Sequence, residues 1–246
     1  MNALAKLREP HSRPLQSTTA CPSCPPFDLN ICPATATPGQ DHAALWGLLP
    51  VSEQTIPARR LMFRQRDLHD VVPFICKGWA ASAVTLSDGS RRILSFLLPG
   101  DIVFHRAAHC SVEAITEVYC RCYRSDELRA ALMSDRTLLE KAARLLLDRT
   151  LRAQQLAVDL GRRTADERIA RLILDLQGRL TERGMANGQT IHFPLRQHHV
   201  ADATGLTSVH VSKVLSDFRR CGLIEISDRS LTILDPAGFQ RVATMR

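Results

Sequence analysis

The chain has 246 residues, 45% of them hydrophobic, and a formal net charge of +7. That length allows one large domain or two modest ones with ordinary cores. No apolar run is long enough to span a bilayer and the N-terminus lacks a signal-peptide core, so the expectation is a soluble, cytoplasmic chain with no membrane partner. The positive excess is spread along the sequence, so charge alone does not locate a nucleic-acid surface.

Residues 1–40 are rich in Pro, Ser and Thr with little periodicity, the composition of a tail. Within them stand Cys21, Cys24 and Cys32, spaced C-x2-C-x7-C, with Pro22 and Pro33 bending the chain. Eight cysteines are many for a reducing compartment, where close spacing points to metal or redox chemistry before disulfides. Three thiolates can converge on one ion or cluster, but zinc and iron–sulfur sites usually take four. A fourth ligand has to come from elsewhere in the fold.

From residue 43 to about 130 the pattern is short strands and turns, with Ser87-Asp88-Gly89-Ser90 as the clearest hairpin cue. So many short strands predict a barrel or roll. Residues 135–163 carry a long helical pattern, about 43 Å at 1.5 Å per residue. Two stripes compete for its buried face: Leu138, Ala142, Leu145, Arg149, Arg152 and Leu156, and the uncharged Leu139, Ala143, Leu146, Thr150, Ala153, Ala157 and Leu160. The second is the better seam for a two-helix homodimer. Gly161 is expected to break this helix, and Thr164 with Glu167 reads as a capping box for a helix over residues 165–180.

The C-terminal third reads as two short helices joined by a tight turn. Val200, Ala201 and Ala203 give the first its apolar side, and Gly205 can take the left-handed conformation that ends it. Thr207 or Ser208 caps the second, where Val211, Val214, Leu215 and Phe218 recur at helical spacing. Two alternating segments then flank Ser227-Asp228-Arg229-Ser230 as a hairpin wing. A winged helix-turn-helix puts its second helix in the major groove of double-stranded DNA. Ser208, Val209, His210, Ser212 and Lys213 are then set to face bases, and Gln197, Arg219 and Arg220 to face phosphates. No Ser-His-Asp, paired-carboxylate or phosphate-loop pattern stands in a pocket context, so the sequence makes no case for an enzyme.

A roll, a long helix and a winged helix-turn-helix, in that order, resemble the CRP/FNR family of bacterial transcription regulators. The resemblance rests also on Leu97-Leu98-Pro99-Gly100-Asp101 at a roll turn and Thr164-Ala165-Asp166-Glu167-Arg168-Ile169-Ala170 after the long helix. It implies an α+β chain: a cysteine-bearing arm (1–42), a cyclic-nucleotide-binding-like β-roll (43–133), a dimerisation helix (134–163) and a DNA-binding domain (164–246). The N-terminal cysteines are similar to those of the oxygen-sensing FNR branch, FnrN-type members included, which holds a [4Fe–4S] cluster with three N-terminal cysteines and one in the roll. By that resemblance Cys21, Cys24, Cys32 and Cys120 are the ligands, with Cys122 and Cys110 as substitutes for the last. Cys76 and Cys221 read, from residue type, as small buried hydrophobic side chains. The branch pairs its long helices when the cluster is present and releases them when oxygen destroys it. The alternative is a regulator without a cluster, its cysteines binding zinc or acting as redox thiols.

The stretch 103–113 lacks the Gly-Glu pair and the Arg-Ser or Arg-Thr clamp of the cyclic-nucleotide branch, which argues against cyclic AMP. Where FNR-like members read their half-site with Glu, Ser and Arg, this chain has Val209, Ser212 and Lys213, so its half-site is expected to differ or be read more loosely. The 87–91 turn resembles the surface such regulators offer to RNA polymerase.

Overall fold

The structure is a computed structural model and describes residues 48, 50–65, 69–103 and 109–244. Cys21, Cys24 and Cys32 lie outside the described residues. Contacts divide the chain into two compact units, one formed by residues up to 90 with 94–146, the other by 91–93 with 147–246.

The first unit is built on β1 (Ser52–Ile56), β2 (Leu61–Phe63), β3 (Val71–Lys77), β4 (Ala80–Thr85), β5 (Arg91–Leu97), β6 (Ser111–Ala114) and β7 (Val118–Arg124). They form a three-stranded sheet, β1-β7-β3, and a four-stranded one, β2-β6-β4-β5. Val118, Cys120 and Cys122 alternate along β7 and are fully buried with Ile56, Met62, Phe63 and Ile75. The opposite face of β3 carries Val72, Phe74 and Cys76, which pack with Ile102, Tyr123 and Leu128. That explains why Val71–Lys77 reads as an unbroken apolar run: both faces are covered. Pro73 is tolerated because β3 is an edge strand, and its carbonyl accepts the Val103 N–H at 2.8 Å.

Helix α1 (Ser125–Ser134) follows β7 directly, and α2 (Arg136–Arg162) follows α1. The first apolar stripe of α2 turns inward at Leu138 and Ala142, and Leu145 packs on the β3 cluster. Gly161 does not break α2. The helix runs to Arg162, the Arg163 N–H still reaches the Asp159 carbonyl at 3.2 Å, and the chain turns only at Thr164, which is extended. A helix already propagating tolerates one glycine in its last turn for about 1 kcal/mol.

The second unit contains α3 (Ala165–Glu182), β8 (Ala186–Asn187), β9 (Thr190–His192), α4 (Gln197–Thr204), α5 (Ser208–Arg220), β10 (Ile224–Ser227), β11 (Ser230–Ile233) and α6 (Pro236–Thr244). The capping box is present: Thr164 accepts the Glu167 N–H and Glu167 accepts the Thr164 N–H. Ile169, Ile173, Leu176 and Leu180 of α3 are buried, and Phe218 of α5 meets Phe239 of α6 edge to face at 5.4 Å. The strands make one sheet, β10-β11-β9-β8, so the wing hairpin is extended by the short β8–β9 hairpin.

Candidate nucleic-acid interface

Helix α4 is capped at its start by Arg196, whose N–H is accepted by Nδ1 of the buried His199 at 3.1 Å, and at its end by Gly205 with φ 70°. Only glycine adopts that left-handed conformation without cost, and the Gly205 N–H closes on the Ala201 carbonyl at 2.8 Å. Two residues later Thr207, not Ser208, caps α5 by accepting the His210 N–H at 3.2 Å. Ser208 is the first helical residue.

Val211, Val214 and Phe218 fix which face of α5 is buried. The opposite face carries Val209, Lys213, Ser216 and Arg220 at i, i+4, i+7 and i+11, all exposed, with the half-buried Ser212 beside them. Val209 is 81% exposed, which removes it from any core and leaves an apolar side chain at the start of an otherwise polar stripe. Ser208 and His210 flank the stripe at the helix start, half-buried and exposed respectively. Arg219 and Arg220 are exposed at the far end, where Arg220 bonds Asp217 at 2.7 Å. Gln197 is exposed in the first turn of α4.

Sequence reasoning missed Ser216, although its i+7 spacing from Val209 was there to be read. It also missed the geometry of the wing tip, where Asp228 and Arg229 hold φ 47° and 60°. An Asp-Gly or Asn-Gly pair would have announced the left-handed backbone at that turn, but Asp-Arg does not.

Along α2, Leu139, Ala143, Leu146, Thr150, Ala153 and Ala157 are exposed and Leu160 is half-buried. Leu139 and Leu146 are 46% and 49% exposed, so the second stripe is an apolar surface that this chain alone does not cover.

Among the described cysteines, Cys120 and Cys122 are inside the roll core, two residues apart on one face of β7. The hydrogen bond that Cys120 shares with Cys122, together with burial, pushes its thiol well above the ordinary range. Such a thiol keeps its proton until a bound cation displaces it. Soft sulfur in dry, apolar surroundings fits a thiophilic metal or cluster, so the donor chemistry at Cys120 suits an iron–sulfur group. Cys110 lies just before β6, in the other sheet, where the Ser82 hydroxyl donates to its sulfur at 3.0 Å. Cys76 is buried as expected, but Cys221 is exposed. It falls one residue past α5, beyond the last turn of the buried stripe. Among the described residues no three His, Cys, Asp or Glu side chains are grouped to hold a metal ion.

Residues 167–242 match the Crp-like helix-turn-helix domain family. The chain is 32% identical over 188 residues to the nitrogen fixation regulation protein FixK of Rhizobium meliloti, covering 74% of this chain and 82% of FixK. It is 27% identical to the transcriptional activator protein Anr of Pseudomonas protegens, over 96% of this chain and 95% of Anr. The solved structure of FixK2 from Bradyrhizobium japonicum superposes with a TM-score of 0.72 at 24% identity, over 79% of this chain and 98% of that one.

Proposed function

The chain belongs to the CRP/FNR family of transcription regulators and binds DNA through its helix-turn-helix, and we propose that it works as a cytoplasmic homodimer whose DNA binding is controlled by an oxygen-labile [4Fe–4S] cluster. The observation that carries the DNA reading is the outward stripe of α5, with the bare Val209 between groups that donate and accept hydrogen bonds. In the major groove Lys213 donates to guanine O6 and N7, without the fixed fork that arginine would bring. Val209 offers only van der Waals contact, which suits a thymine methyl and no exocyclic amine. Ser208, His210, Ser212 and Ser216 supply short polar contacts, while Gln197, Arg219 and Arg220 hold the phosphates and so the register. Asp217 restrains the Arg220 guanidinium before DNA arrives.

The uncovered stripe of α2 supports the dimer, because exposed leucines in register with small residues let a second helix approach closely. Two copies of α5 then address a two-fold symmetric site, its half-sites roughly 34 Å apart. The exposed turn between β4 and β5 is the surface proposed for RNA polymerase.

Cys21, Cys24, Cys32 and Cys120 would hold the cluster, which supplies sensitivity to oxygen when bound. What supports this assignment is the soft sulfur of Cys120, buried among apolar side chains on the inner face of β7. The test is a visible absorbance spectrum of anaerobically purified protein with iron and sulfide assayed on the same sample. Brown protein that bleaches in air, with the colour lost in Cys120→Ala, bears the reading out. Iron-free protein after anaerobic reconstitution sinks it, and a zinc assay then tests the alternative.

A further inference from the structure

One carboxylate near the end of α2 collects donors from two helices. Gln155 Nε2 of α2 donates to Asp159 at 2.8 Å, and Arg163 Nε, one residue past the end of α2, at 2.9 Å. Arg171 Nε, from α3, lies 2.9–3.0 Å from the two Asp159 oxygens. The side chains of Asp159, Arg163 and Arg171 are only 13%, 23% and 24% exposed, so the group is more than a solvated surface pair. The contacts continue outward. Arg163 donates to the Ala243 carbonyl of α6 at 3.1 Å and stands 3.8 Å from Glu167. On α3, Arg168 donates to the Thr204 carbonyl at 2.9 Å, the last residue of α4 before the Gly205 turn into α5.

We propose that Asp159 is a positioning residue for two-half-site DNA recognition: it locks the last turns of α2 to α3, and through Arg168 to the end of α4, so that α5 is presented at a fixed angle to the helix that carries the dimer seam. The capping-box hydrogen bonds join Thr164 to Glu167 and shape the corner, while a separate bond ties the last turns of α2 to the middle of α3. Asp159 makes that bond and also neutralises two guanidiniums that would otherwise repel across the corner. The inference rests on the homodimer reading. A bivalent protein gains affinity from its second half-site only if the two recognition helices keep their spacing, and a looser joint lowers the effective concentration of the second helix.

The experiment uses full-length protein and the duplex it enriches from a randomised pool. That duplex is compared with versions whose half-sites are moved closer or farther apart, and with a single half-site. For Asp159→Asn the expectation is about a tenfold loss on the two-half-site duplex, a flattened spacing preference, and single half-site affinity within about twofold of wild type. Arg171→Gln keeps the Asp159–Arg163 pair and cuts only the bond between helices, so it should do the same. It also decides the matter if Asp159→Asn loses helical circular dichroism. Wild-type affinity and spacing preference in both folded variants would overturn the inference, as would an equal loss on the single half-site. If wild-type protein itself shows no spacing preference, the homodimer reading fails first and this inference falls with it.

Discussion

Thr164 and Glu167 satisfy each other at the corner between α2 and α3: the Thr164 N–H donates to Glu167 Oε2 at 2.6 Å, and the Glu167 N–H donates to Thr164 Oγ1 at 3.3 Å. Glu167 is only 3% exposed, so its carboxylate has little water to fall back on. Thr164→Ala should cost about 1 kcal/mol of stability. Glu167→Ala should cost more, about 2–3 kcal/mol, because buried donors lose their acceptor. Urea unfolding followed by far-ultraviolet circular dichroism measures both, and an equal effect of the two would contradict the account.

The recognition stripe makes separable predictions. Lys213→Ala should weaken binding to the enriched duplex by about 1–3 kcal/mol and relax preference for one guanine. Arg219→Ala should weaken all duplexes alike and flatten the salt dependence by about one unit of slope. Val209→Ala should matter only where thymine stands beneath it, and replacing that thymine with deoxyuridine should mimic the mutation. Equilibrium binding at several salt concentrations separates these effects.

Gly78 is a position in the roll where no side chain fits. Its φ is +86°, and a Cβ there would sit 2.0 Å from the Glu117 carbonyl oxygen, which as backbone cannot move aside cheaply. Gly78→Ala should therefore destabilise the roll by about 3 kcal/mol or more. Loss of soluble, folded protein or a large drop in the thermal midpoint is the expected readout.

Cys120 and Cys122 should behave differently although they are neighbours in one core. Cys120→Ala should abolish anaerobic visible absorbance, while Cys122→Ala should retain colour and bound iron. The reverse result would move the proposed fourth ligand to Cys122.

Breaking the apolar stripe of α2 gives a direct test of assembly. Leu146→Arg sets a charge on an exposed side chain, so it should leave the monomer fold intact while sedimentation shifts towards the monomer. An unchanged sedimentation profile would move the interface elsewhere.

The parts that could be read from sequence are those made by neighbours in the chain. Gly205, Thr207 and the buried spacing of Val211, Val214 and Phe218 define the helix-turn-helix within about twenty residues, and the Thr164–Glu167 box is equally local. Helix α1 was not legible, because of its ten residues only Leu128 is buried, and with the half-buried Leu132 it makes a face too narrow to register as periodicity. The β8–β9 hairpin has strands of two and three residues, too short for alternation to register. Cys221 was misread as buried because cysteine favours cores and the end of α5 could not be fixed to one residue. The Asp159–Arg171 bond joins residues on different helices, which no spacing rule announces.

Cys221 also gives the molecule a practical handle. Of the cysteines in the described residues it is the exposed one, while Cys76, Cys120 and Cys122 are enclosed and Cys110 is partly covered. A thiol-reactive dye added to the folded protein will reach that sulfur ahead of those four, planting a fluorophore one residue beyond the recognition helix. Docking on a duplex can then be followed as a change in the dye's emission, with no engineered cysteine and no change to the stripe that reads the bases.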